Sequence, residues 1–225
     1  MGTRDYKNFA EGEYYHIFNR GVGKMVIFKD NQDYRVFISR LKENLYPNLK
    51  VNPLDGAHRG RSHTPYIRKL LPEGAFLLIA YCLMPNHFHL LLKQNSRIPL
   101  SKLILKVCGS YSKYFNKKYN RVGSLFQDQF KTERVDNNEY LLWLSAYIHL
   151  NPRVANLVRD DLKWEWSSYK EYLDISANTL CDRKIISDQF SNPKMYQKIV
   201  NDAFSPIKSK KYPLLEILNV EFESP

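Results

Sequence analysis

The chain has 225 residues, 44% of them hydrophobic and 25% charged, which excludes wholesale disorder and leaves room for one domain with a real core. Its longest apolar run, Ala75–Met84, is too short to cross a bilayer. The polar opening Met1–Glu13 is not that of a signal peptide, so a cytoplasmic protein is expected. The three cysteines, Cys82, Cys108 and Cys181, form no CxxC pair, which excludes a disulfide framework and a thiolate zinc site. Lysine and arginine outnumber acids 34 to 23, for a net charge of +11, a balance suited to polyanionic partners.

In chain order, the aromatic and β-branched stretch Glu13–Asn19 predicts a strand ahead of the turn Arg20–Gly23. Tyr34, Phe37, Ile38, Leu41 and Leu45 recur at helical spacing and predict a helix over Asn31–Leu45. Tyr46–Gly74, rich in proline and glycine, is expected to be a loop insertion. Phe76–Leu83 is continuously apolar, as in a central strand, and Met84-Pro85-Asn86 separates it from a second strand over His87–Lys93. A long helix follows over Ser101–Tyr119, then a strand over Ser124–Val135. The next helix, Asn137–Leu150, is expected to stop at Asn151 because Pro152 disfavours helical backbone before it. This order predicts an α+β fold, an antiparallel sheet with helices packed on one face. Residues 174–225 read as a weakly helical extension of unknown role that ends in the basic patch Lys208, Lys210 and Lys211, after a main domain over 1–173.

Three constellations stand out. In a strand, His87 and His89 share one face and Phe88, Leu90 and Leu92 the other. Two imidazoles so placed are either ligands of one divalent cation or ordinary histidines of a half-exposed sheet, and the spacing leaves both readings open. On the helical wheel of Asn137–Leu150, Tyr140, Leu144, Tyr147 and Asn151 form one stripe while His149 points away from Tyr147. Asn151 could therefore join a site that Tyr147 faces; the plainer reading is an amphipathic helix with core tyrosines. Lys102, Lys106, Lys113 and Lys117 lie within about 60° of one another on the Ser101–Tyr119 helix. A lysine stripe without interleaved acids is either a phosphate-binding face or a solvated one. Ser101–Arg134 as a whole carries eight basic residues against two acids, Arg121 and Lys131 among the basic ones. GxSxG, P-loop, GxGxxG and HExxH patterns are all missing.

With these words assembled, the sequence resembles the IS200-like Y1 transposases of the HUH endonuclease class, and most of all the REP-associated tyrosine transposases. The matching words are YHIFNRG at 15–21, AYCLMPNHFHLLL at 80–92, GSLFQ at 123–127, Phe130-Lys131, YIHLNP at 147–152 and WSSY at 166–169. The resemblance implies a ferredoxin-like HUH fold with extra C-terminal helices, and a single-strand DNA nickase and strand transferase acting near hairpins. It implies that His87, His89 and Asn151 hold Mg2+ or Mn2+, and that Tyr147 is the nucleophile of a 5′-phosphotyrosine intermediate. Arg20, Arg121, Lys131 and the four stripe lysines are the expected DNA contacts. Single-stranded and hairpin DNA are the expected partners, no membrane is, and a monomer is expected, with a homodimer as the variant seen among IS200-like enzymes. The chain departs from its relatives at Gln129, where they often carry arginine. The competing reading is a domesticated relative that binds hairpin DNA or RNA without cutting it.

Overall fold

The computed structural model describes residues 9–48, 71–176 and 179–209. Most of the expected 46–74 insertion, together with Lys210 and Lys211, lies outside the described residues.

Four antiparallel strands build the centre: β1 (Tyr14–Arg20), β2 (Phe76–Met84), β3 (His87–Gln94) and β4 (Lys131–Val135), in the order β2-β3-β1-β4. β2 and β3 form the predicted hairpin, and β1 lies between β3 and β4. The outer edge of β2 is covered by the backbone of Trp166 and Ser168, which bonds to Leu83 and Tyr81 at 2.8 and 3.0 Å. That cover satisfies strand groups an open edge would leave unpaired.

The helices are α1 (Asn31–Leu45), α2 (Leu100–Lys118), α3 (Asn138–Val154), α4 (Tyr169–Tyr172), α5 (Lys184–Ser187) and α6 (Pro193–Lys208). Asp30 caps α1 through bonds from the Gln32 and Asp33 amides, and Asn137 caps α3 by accepting from Tyr140. α2 starts at Pro99 with no side-chain cap of its own; buried Gln94 substitutes by accepting from the Leu100 amide at 3.0 Å.

The α+β architecture agrees with the sequence reading, but the helices occupy both faces of the sheet rather than one. Ile17, Phe88, Leu90 and Leu92 pack with α1 and α2. Phe18 and Leu91, from the alternate positions of the same two strands, pack with Ile79 and Cys82 of β2 and with α3, α5 and α6. As far as Leu92 both sides of β3 are apolar except at its two histidines, so each side needs cover. The 174–225 segment supplies part of it: Ile186, Tyr196, Val200 and Ile207 are buried against the α3 side.

Two boundaries differ from expectation. Only Lys131–Val135 of the predicted 124–135 strand is extended. Leu125 and Phe126 are sequence neighbours buried in the same core, which strand alternation forbids, and Phe126 makes only an isolated bridge to Gly21. Gly21 is needed there: a Cβ on it would collide with the Met25 carbonyl oxygen and approach Ile27 Cγ2 to 2.8 Å. The second difference is α3, which runs through Pro152 to Val154 instead of ending before it. Pro152 forfeits one backbone bond, but it is buried, and the turn after it is closed by Ala155 N–H to Asn151 O at 2.9 Å and Leu157 N–H to Pro152 O at 2.9 Å.

Candidate active site

The site lies between the α3-side face of the sheet and α3 itself. Cross-strand register sets its rows: Cys82, His89, Phe18 and Lys131 stand in line across the four strands, with Met84, His87 and Arg20 in the next row on the same face. His87 and His89 project side by side from β3, their ring centroids 5.0 Å apart and planes at 90°. Tyr147, fully buried on α3, brings its ring edge-on to His89 at 5.6 Å, and stacks on Trp143 at 5.4 Å with planes 13° apart.

The outer nitrogens of both histidines are anchored. His87 Nδ1 meets Asn86 Oδ1 at 2.6 Å, and His89 Nδ1 meets His16 Nε2 at 3.0 Å. The inner nitrogens, Nε2 of His87 and of His89, are buried and have no hydrogen-bond partner. An orphaned buried nitrogen is costly unless something outside the chain completes it. An imidazole bonded through one nitrogen and bare at the other is the arrangement of a metal-ligating histidine. Asn151, one turn beyond Tyr147, is buried and donates its amide to Tyr147 O at 2.8 Å. Its side chain also raises the pKa of His87 and lowers that of Tyr147 through hydrogen bonding.

Two imidazole nitrogens and an amide oxygen are a donor set suited to a divalent cation. Among the described residues no cluster of three or more histidines, cysteines or acids could hold a metal; the amide of Asn151 is the further oxygen donor beside the pair. Burial keeps the histidines neutral and ready to ligate. It lowers His87 to about 4, with a further push from the Arg20 charge against the opposing effect of Asn151. His89 is driven well below the ordinary range by burial, then by His87 and His16. Tyr147 is pushed up, chiefly by burial, so its resting form is the phenol.

His149 stands apart, as the helical wheel requires. It is fully bonded, Nδ1 to Tyr196 Oη and Nε2 to Ser168 Oγ, both at 2.8 Å. Its role is to tie α3 to α4 and α6.

The expected DNA-contacting residues divide between two sides of the sheet. Arg20 and Lys131 lie on the side of the histidine pair; Arg20 Nε donates to Gln127 Oε1 at 2.6 Å and Lys131 sits over the Phe18 ring at 5.8 Å. The stripe lysines are on α2, whose apolar side packs on the opposite face. Lys102, Lys113 and Lys117 are exposed and Lys106 is half-buried. Arg121 braces its own loop, donating to Ser124 O at 2.7 Å.

The sequence reading quoted His16 within the word YHIFNRG but gave it no role. Its signal was a lone imidazole among the aromatic and aliphatic residues of 14–18, but its partnership with His89 depends on the β1–β3 register, which no local pattern states.

Residues 47–151 match the family described as Transposase IS200 like, a span that holds His87, His89, Tyr147 and Asn151. No curated protein matches this chain by sequence. A solved structure of a REP-associated tyrosine transposase bound to a REP hairpin is similar in fold to this chain, with a TM-score of 0.50 and 12% identity over 81% of this chain and 98% of that one. Among the described residues no helix is long and apolar enough to cross a membrane.

Proposed function

We propose that this chain cuts and rejoins single-stranded DNA next to hairpins, with Tyr147 as the nucleophile and His87, His89 and Asn151 as the holders of Mg2+ or Mn2+. The observation that carries this is the meeting of two unpartnered, buried imidazole nitrogens with the ring of a buried tyrosine one helical turn from an amide. A bound divalent ion supplies withdrawal of charge from a phosphodiester and stabilisation of the oxyanion that develops on it.

The chain's own residues do the rest. Tyr147 Oη gives up its proton and forms a bond to phosphorus; the bond from phosphorus to the 3′-oxygen breaks, and that oxygen leaves as a 3′-hydroxyl after taking up a proton. The product is a 5′-phosphotyrosine link that stores the phosphodiester, so a second 3′-hydroxyl can reverse the step without ATP. Arg20 and Lys131, on the same face as the histidine pair, are placed to hold phosphates of the strand entering the site. The lysines of α2 hold DNA on the other side of the sheet. Hairpin DNA is the substrate class because the similar fold described above carries one.

The test is incubation with hairpin-bearing single-stranded DNA and Mn2+. Wild type gives a protein–DNA adduct that survives SDS, and Tyr147→Phe gives none while still retarding the DNA. An adduct formed by Tyr147→Phe overturns the assignment of the nucleophile. Retardation without an adduct in wild type supports the non-cleaving, hairpin-binding alternative.

A further inference from the structure

We infer that His16 is a positioning residue that accepts a hydrogen bond from His89 Nδ1 and so leaves His89 Nε2 free to hold a cation. The inference rests on the proposed ligand role of His87 and His89, and adds to it a residue outside the matched family span of 47–151.

His16 Nε2 and His89 Nδ1 face each other at 3.0 Å, with ring planes 15° apart. A hydrogen bond between two imidazole nitrogens holds one proton, so only two arrangements exist. With the proton on His89 Nδ1, the lone pair of His89 Nε2 is bare and His16 carries its own hydrogen on the buried, unpartnered Nδ1. With the proton on His16 Nε2, His89 carries its hydrogen on Nε2, where it has no acceptor and blocks ligation.

The neighbouring ligand is arranged differently. His87 Nδ1 faces the Asn86 side chain through Oδ1, an atom that can only accept, so His87 Nδ1 must bear the proton and its Nε2 is bare from the outset. His16 can donate or accept. One ligand of the pair is therefore preset and the other selectable. The change of arrangement conserves protons: the shared proton passes from His16 Nε2 to His89 Nδ1, His89 Nε2 loses one and His16 Nδ1 gains one.

His16 is also held too firmly to be a casual neighbour. It lies on β1, between β3 and β4, and is fully buried. Its ring stacks on Phe18 at 4.8 Å and meets the Tyr147 ring edge-on at 6.3 Å. One ring thus packs against a proposed ligand and the proposed nucleophile in a close-packed interior.

The experiment measures Mn2+ uptake by the whole chain without DNA, from the electron paramagnetic resonance signal of free Mn2+. His16→Phe keeps the ring and removes the acceptor; it should bind Mn2+ ~10–100-fold more weakly than wild type, the usual effect of losing the partner of a ligating histidine. His16→Gln restores an acceptor oxygen and should recover part of that loss. A folded His16→Phe with wild-type affinity overturns the inference and leaves the ligand assignment standing. Wild type that takes up no Mn2+ overturns both. Should His16→Phe fail to fold, imidazole 15N spectra of wild type with Zn2+ decide the matter. His16 Nε2 must appear unprotonated and His89 Nδ1 protonated; a protonated His16 Nε2 overturns the inference.

Discussion

The ring of Tyr147 meets the ring of His89 edge to face, centroids 5.6 Å apart and planes at 86°. The tyrosine is fully buried there, backed by Trp143, and burial pushes its phenol above the ordinary value of 10. Below its pKa the phenolate fraction grows tenfold with each pH unit. The rate of adduct formation in a single turnover should accordingly climb by about tenfold per unit between pH 7 and 9. A flat profile, measured by quenching into SDS, would show that the proton leaves during attack and not before it.

His149 should matter for stability and not for chemistry. Its two buried bonds join α3 to Ser168 and Tyr196, and His149→Asn should cost about 2–4 kcal/mol at pH 7.5. Burial lowers its pKa from 6.5 to about 3 in the folded chain, so the stability it brings is complete above pH 6.5 and is lost as pH falls toward 3. The gap between wild type and variant should therefore narrow by about 1.4 kcal/mol per pH unit below 6.5. Urea unfolding at pH 7.5, 6 and 5 reads it, and a constant gap would mean that His149 does not titrate as a buried neutral group.

Glu133 has the opposite sign. It stands across from His16 in the β1–β4 register, with Tyr140 Oη donating to it at 3.4 Å, and burial raises its pKa from 4.5 to about 7 against the lesser pull of Tyr140 and Lys131. A raised carboxyl favours folding below pH 4.5, and that contribution fades as pH rises through 7. Glu133→Gln removes the penalty of the charged form. It should raise the melting temperature by a few degrees more at pH 8 than at pH 5, on the order expected for ~1 kcal/mol. An equal shift at both pH values would place Glu133 in water.

The α2 lysines should affect DNA affinity alone. Lys113 and Lys117 are exposed on the side of the sheet away from Tyr147. Replacing both with alanine should reduce the slope of log affinity against log salt by ~0.7–0.9 for each phosphate that is no longer neutralised. The adduct rate at saturating DNA should not change. An unaltered slope would mark the stripe as a solvated face.

Sequence alone determined most of the elements and which candidate groups share a face. Alternation put His87 and His89 on one face of β3, helical spacing put Tyr147 and Asn151 on one stripe and set His149 apart, and these local periodicities survive folding because they are fixed by backbone geometry. Tertiary structure decided what those groups meet. That β1 lies beside β3 in the register pairing Phe18 with His89, which puts His16 against His89, is a matter of strand order, and short-range patterns carry no strand order. The same holds for cover on both sheet faces, for the division of the cations between them, and for α3 passing through Pro152. Each is settled by burial of surfaces far apart in the chain, whose free energy outweighs the local preference of one residue.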